Sequence, residues 1–144
     1  MILCNGLPKS GTHYLSACLE MMGSARFDVV ALGPGHFFDH FKVGADLPEH
    51  DKHILIIRHP RNILMSFARS RYSPLLPGQI ISAMYGYSQF VGSPERLDDC
   101  MGRFAGWLDD KSVYPVRYED MTTDGGAAVE KLAAHIGGTS EGVY

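Results

Sequence analysis

The sequence predicts an α/β domain in which a central, mostly parallel sheet is flanked by helices. Short aliphatic runs alternate with longer stretches of helical periodicity, and one run, Ile54–Ile57, is apolar throughout, as suits a strand covered on both faces. The chain has 144 residues, 45% of them hydrophobic and 20% charged, which suffices for one core, so a single domain over residues 1–144 is expected.

The elements follow in order. Ile2–Asn5 reads as a strand and closes at Gly6-Leu7-Pro8. From Thr12 to Met22 the apolar residues Tyr14, Leu15, Cys18, Leu19 and Met22 recur at helical spacing. Phe27–Leu32 is a second strand, ended by Gly33-Pro34-Gly35, and the aromatic and His-rich stretch His36–Leu47 has no clear form. After the strand Ile54–Ile57, Pro60 opens a helix whose apolar face is Ile63, Leu64, Phe67 and Ala68. Ser73–Gly78 is a break. Helices near Gln79–Val91 and Pro94–Leu108, a strand at Val113–Arg117 and a helix at Gly126–Ile136 complete the chain. The order β, α, β, β, α, α, α, β, α calls for crossover connections and hence a parallel sheet.

Composition removes several function classes. The three cysteines, Cys4, Cys18 and Cys100, are scattered without CxxC spacing, which argues against a disulfide framework or a zinc site and for reduced thiols. A formal charge of −3 and a pI near 6.1 give no global pull toward nucleic acid or an anionic membrane, so an anion has to be bound locally. Met1-Ile2-Leu3-Cys4 lacks a basic leader and no long apolar stretch follows; a cytoplasmic protein is expected.

Such a local site is written into Gly6-Leu7-Pro8-Lys9-Ser10-Gly11-Thr12-His13. The segment joins a strand to a helix, where free backbone N–H groups and the positive helix end point at an anion. Gly11 permits close backbone approach, Ser10 and Thr12 add hydroxyls, and Lys9 adds a mobile ammonium. A nucleoside triphosphatase loop needs Lys then Ser/Thr after its last glycine; here Thr12 and His13 follow Gly11, which disfavours an ATP–magnesium site. A solvated surface turn is the bland alternative for the loop alone.

A second element stands at the end of Ile54–Ile57. Arg58 falls at the carboxyl end of that strand, where open α/β sheets bind ligands, and Ser66 follows eight positions later inside the next helix. An Arg clamp and a small hydroxyl can meet on one anion.

With these residues in view, the chain resembles the PAPS-dependent sulfotransferases, in the form of a small, minimal-length member. Pro8-Lys9-Ser10-Gly11-Thr12 is similar to that family's 5′-phosphosulfate loop, and Arg58-His59-Pro60-Arg61-Asn62-Ile63-Leu64-Met65-Ser66 to its 3′-phosphate motif. Tyr114-Pro115-Val116-Arg117-Tyr118-Glu119-Asp120-Met121 is similar to its late strand and Tyr-Glu-Asp turn. The resemblance implies a P-loop-like three-layer fold and the cofactor 3′-phosphoadenosine 5′-phosphosulfate (PAPS), with 3′-phosphoadenosine 5′-phosphate (PAP) as product. It places Lys9 on the bridging oxygen, Ser10, Gly11, Thr12 and His13 on the 5′-phosphate, and Arg58 and Ser66 on the 3′-phosphate. It implies a small-molecule or glycan acceptor with a hydroxyl or amine, no metal, and no nucleic-acid or membrane partner; a homo-oligomer is compatible with it. His59 stands where the family usually has Asp. The family's basic, glycine-containing loop beyond the last helix has no counterpart before Tyr144, so a more open 3′-phosphate site, or one completed by another subunit, is expected.

The family generally takes its general base, a His or in some branches a Glu, from the segment before the 3′-phosphate strand. His36, twenty-two positions before Arg58, is the first candidate and His40 the second, with Asp39 behind them. Were this stretch helical, His36, Asp39 and His40 would converge as metal ligands, but the spacing lacks the Glu of zinc-protease helices. His50, His53 and His135 fall among charged or helical surface positions and read as solvated. The aromatic residues Phe37, Phe38, Phe41, Tyr72, Tyr85 and Tyr87 read mainly as core, and Tyr118, Glu119 and Asp120 as turn and cap groups. The rival readings are a small P-loop kinase and a nucleotide-binding domain that has lost turnover.

Overall fold

Aliphatic runs separated by glycine and proline become strands, and the amphipathic stretches between them become helices. The computed structural model describes residues 1–27, 35–71, 77–90, 97–123 and 126–138. The elements are β1 (Ile2–Gly6), α1 (Thr12–Met21), β2 (Arg26–Phe27), β3 (His36–Asp39), β4 (Lys52–Ile57), α2 (Pro60–Arg71), α3 (Pro77–Phe90), α4 (Leu97–Ala105), a 3-10 turn (Gly106–Asp109), β5 (Val113–Arg117), α5 (Tyr118–Thr123) and α6 (Ala127–Ile136). The sheet runs β2-β3-β1-β4-β5 with every neighbouring pair parallel.

Along β4 the side chains alternate, as a strand requires. Ile54 and Ile56, with Cys4 and Val116, meet Leu15, Cys18 and Leu19 of α1 and Val129, Leu132 and Ala133 of α6. Leu55, with Val113, packs on Trp107 on the opposite face. Both faces are covered, which is why Ile54–Ile57 has no polar position. Helices α2 and α3 form a further cluster of Ile63, Phe67, Ala68, Ala83 and Tyr87.

The stretch without clear form in sequence contains strand β3, whose His36, Phe37, Phe38 and Asp39 pair with Ile2, Leu3, Cys4 and Asn5. Nothing local announces it: only its first residue is buried, so the pairing with β1 makes it a strand. Being extended, it cannot bring His36, Asp39 and His40 onto one helical face, and the metal reading of that trio falls. Among the described residues no cluster of three His, Cys, Asp or Glu side chains could hold a metal ion. The second strand is described at Arg26–Phe27, while Asp28–Leu32 of the expected Phe27–Leu32, like Tyr72 and the start of the expected Pro94–Leu108 helix, lie outside the described residues.

His53 is not solvated. It is 3% exposed, with its ring 4.9 Å from Trp107 and 5.6 Å from His50, and its Nε2 has no hydrogen-bond partner. Burial, helped by the charge of His50, pushes its pKa down to about 4. No helix among the described residues is long and apolar enough to cross a membrane.

Candidate functional site

Strands β1 and β4 are adjacent and parallel, so their carboxyl ends open on one crevice. Here β1 passes into the loop Leu7–Gly11. Lys9 has φ 68 and Gly11 φ 110, two left-handed residues that curl the chain under the start of α1. The Lys9 conformation is uncommon for a residue with a Cβ and marks a loop held by its surroundings. Gly11 is fixed twice, since a Cβ there would lie 2.4 Å from the Tyr118 ring. No side chain caps the N-terminus of α1, so its first N–H groups are free for an anion.

The opposite wall comes from β4, α2 and α5. Arg58 Nη1 donates to the Lys9 carbonyl at 3.1 Å, and the guanidinium lies 4.1 Å above the Tyr118 ring. Arg58 is thus fixed from both sides, while its buried Nε has no partner. Glu119 Oε1 accepts from the His59 N–H at 3.1 Å and from Asn62 Nδ2 at 2.9 Å, tying α5 to the first turn of α2. Burial pushes the Glu119 carboxyl up, but those two hydrogen bonds and the Arg58 charge outweigh it and hold its pKa below the ordinary value.

These walls enclose a cavity of about 380 Å³. Lys9, Gly11, Thr12, His13, Arg58 and Ser66 all line it, as does His40. Lys9 and Arg58 bring two positive charges and, among the described residues, no Asp or Glu lines the cavity, so a chain of net charge −3 holds a locally basic pocket.

The two candidate bases part company. Asn5, fully buried at the end of β1, accepts from the N–H groups of Gly6 and Phe41 at 2.8 Å each and donates to the Phe41 carbonyl at 2.9 Å. That clamp draws the segment after β3 against the loop and sets His40 in the cavity wall. His40 Nδ1 lies 2.6 Å from the Gly6 carbonyl oxygen. A carbonyl only accepts, so Nδ1 carries the proton and neutral His40 keeps a lone pair on Nε2.

His36 does not reach this cavity. It begins β3, pairing with Ile2 at the amino end of the sheet, about 13 Å from His40 at strand rise. It is fully buried, with Nε2 2.7 Å from Ser16 Oγ and Nδ1 3.1 Å from Ser24 Oγ. Burial lowers its pKa, with the Glu20 carboxylate pulling the other way. It ties β3 to α1. Asp39 is not brought into the cavity either; its Oδ1 accepts the His40 N–H at 2.7 Å. Ser10 is not among the residues of this cavity: it is fully buried, its Oγ has no hydrogen-bond partner, and the residue lines a neighbouring cavity instead.

Sequence reasoning missed four contributors. Asn5 reads only as a strand end, and Tyr87, read as core, donates from its buried hydroxyl to the Pro8 carbonyl at 2.8 Å. Tyr118, read as part of a turn, forms a wall, and so does Phe90 at the end of α3. The polar residue closing an apolar strand at Asn5 and the hydroxyl on a buried aromatic at Tyr87 were the available signals.

The fold and this crevice define a P-loop-like α/β domain with a locally basic cavity at the carboxyl ends of its strands. Among solved structures, the mouse sulfotransferase SULT7A1 complexed with PAP is similar at a TM-score of 0.67 and 20% identity. The match covers 94% of this chain and 57% of that protein. At that identity the likeness is one of fold. No protein-family model matches the chain, and no curated protein matches it in sequence.

Proposed function

We propose that the chain is a sulfotransferase that binds PAPS in the crevice between β1 and β4 and passes its sulfuryl group to a hydroxyl or amine of a small-molecule or glycan acceptor. One observation carries the reading: Lys9, Arg58, Ser66 and the uncapped start of α1 converge on a single cavity with no carboxylate among the described residues of its lining. The PAP carried by the mouse sulfotransferase of similar fold supports the same ligand class.

The residues present fit such a ligand. The N–H groups at the start of α1, with Thr12 and His13, would hold the 5′-phosphate, and Arg58 with Ser66 the 3′-phosphate. When bound, PAPS supplies an activated sulfuryl group whose S–O bond to the 5′-phosphate breaks as the acceptor forms its own. Lys9, at the lip of the loop, offsets the charge that develops on the departing phosphate oxygen. His40, with its Nε2 lone pair fixed by the Gly6 carbonyl, takes the acceptor proton; it replaces His36 in that role.

The test is a calorimetric titration with PAP, ATP–magnesium and 5′-AMP, on the unaltered chain and on Arg58→Ala. Preference for the 3′-phosphorylated ligand, lost in Arg58→Ala, is expected. Equal affinity for 5′-AMP would sink the donor assignment, and preference for ATP–magnesium would replace it with a kinase reading. Transfer from PAPS to a panel of phenols, alcohols and amino sugars then separates an enzyme from a domain that only binds.

A further inference from the structure

A second cavity, of about 220 Å³, lies behind the loop, between β4 and helices α2 and α4. Its lining is largely hydrocarbon, with Leu7, Ile57, Ile63, Met101, Phe104 and Leu108 among its walls. Among the described residues, two with polar side chains line it, Ser10 and Arg58. The Ser10 residue is 0% exposed and its Oγ has no hydrogen-bond partner. A buried hydroxyl left in that state costs on the order of 1–3 kcal/mol, so something in this cavity is expected to answer it.

Water suits the space poorly. A buried water needs two to four polar partners, and apolar cavities of roughly 150 Å³ stay dry and take up benzene. This cavity is larger, opens to solvent beside the exposed Ala105 and Leu108, and has walls largely of the same kind, with two buried polar atoms that lack partners among its lining residues, Ser10 Oγ and Arg58 Nε. The occupant it fits is therefore mostly hydrocarbon and equipped with one hydrogen-bonding oxygen, which can meet both Ser10 Oγ and Arg58 Nε.

That occupant is not the acceptor of the proposed transfer. Lys9, His13 and His40 line the basic cavity and none of them reaches this one, so a molecule here would not meet the reacting group. Among the described residues, Arg58 is the one with a place in both linings.

We propose that the cavity behind the loop is a separate binding site for a small monohydroxylated hydrocarbon, of the size of a single-ring phenol or a short-chain alcohol, with its hydroxyl on Ser10 Oγ.

The experiment is a methyl-resolved NMR titration of the full chain with p-cresol and with p-xylene, which differ by a hydroxyl for a methyl. Both should shift the methyls of Leu55, Ile57 and Ile63 saturably, with p-cresol bound about threefold to tenfold more tightly, the worth of one net hydrogen bond. In Ser10→Ala that preference should vanish while p-xylene still binds. Ala105→Phe fills the cavity from its rim and should abolish both titrations. Ala105 is exposed with helical backbone angles, so the larger side chain leaves the fold intact, which the amide spectrum without probe would verify. No saturable shift of these methyls, shifts that persist in folded Ala105→Phe, or equal affinity for the two probes would overturn the proposal. Neither donor nor turnover is needed for any of these readings.

Discussion

His40 and His36 lie four residues apart and do different work. His40→Asn keeps a donor for the Gly6 carbonyl but removes the ring lone pair. Under the proposed mechanism turnover should fall by about 10²–10⁴-fold while PAP affinity, read by calorimetry, stays within roughly twofold. His36→Ala removes a buried ring from between Ser16 and Ser24; it should cost about 1–3 kcal/mol in urea unfolding and leave PAP affinity unchanged in the folded fraction. The reverse pattern would return the base to His36. Gly11→Ala meets both the Tyr118 ring and a positive φ, so it should lower stability by more than about 1 kcal/mol and weaken PAP binding. Among the residues that line the cavity, the positions of Lys9, Arg58 and Ser66 were legible in sequence, because motif spacing puts them in a loop, at a strand end and within a helix.

At the scale of elements, the loop is held by parts far from it in the chain. Tyr87 of α3 supports Pro8, and Arg58 at the end of β4 supports Lys9. Tyr87→Phe deletes one hydroxyl and leaves the Pro8 carbonyl without that donor. A loss of about 1 kcal/mol is expected, with faster amide exchange in residues 9–13 and weaker PAP binding. Exchange unchanged in the loop would mean that α3 merely covers it. Most helices and the strands β1, β4 and β5 were readable, since each carries its own periodicity or aliphatic run. Strand β3 was not, because its Phe37 and Phe38 are both half-buried and show no alternation.

For the whole molecule, buried His53 makes stability depend on pH. In the unfolded chain it takes a proton near its ordinary 6.5, and in the folded protein only near 4. Between those values the unfolded state binds more protons, so stability is full above pH 6.5 and falls as the pH drops toward 4, by about 3 kcal/mol at the lower end. The lowered pKa of His36 acts in the same direction. Urea unfolding at pH 7.5, 5.5 and 4.5 should show the decline, and His53→Phe, which keeps a ring against Trp107, should flatten it. A slope unchanged in that variant would assign the acid sensitivity elsewhere.

The sequence by itself determined the fold class, the glycine-containing loop between the first strand and helix, and the placing of Arg58 at a strand end with Ser66 in the helix that follows. Those depend on short-range rules: side-chain periodicity, the backbone freedom of glycine and proline, and charge placed at an element's end. Only the tertiary structure decided which histidine faces the crevice, which way the Ser10 hydroxyl turns, and that Asn5 and Tyr87 hold the site together. Each of these is fixed by a partner distant in the chain, since parallel pairing of β3 with β1 sends His36 to one end of the sheet and His40 to the other. Strand register is a long-range property, and four residues on a parallel strand separate an interior tie from a cavity wall.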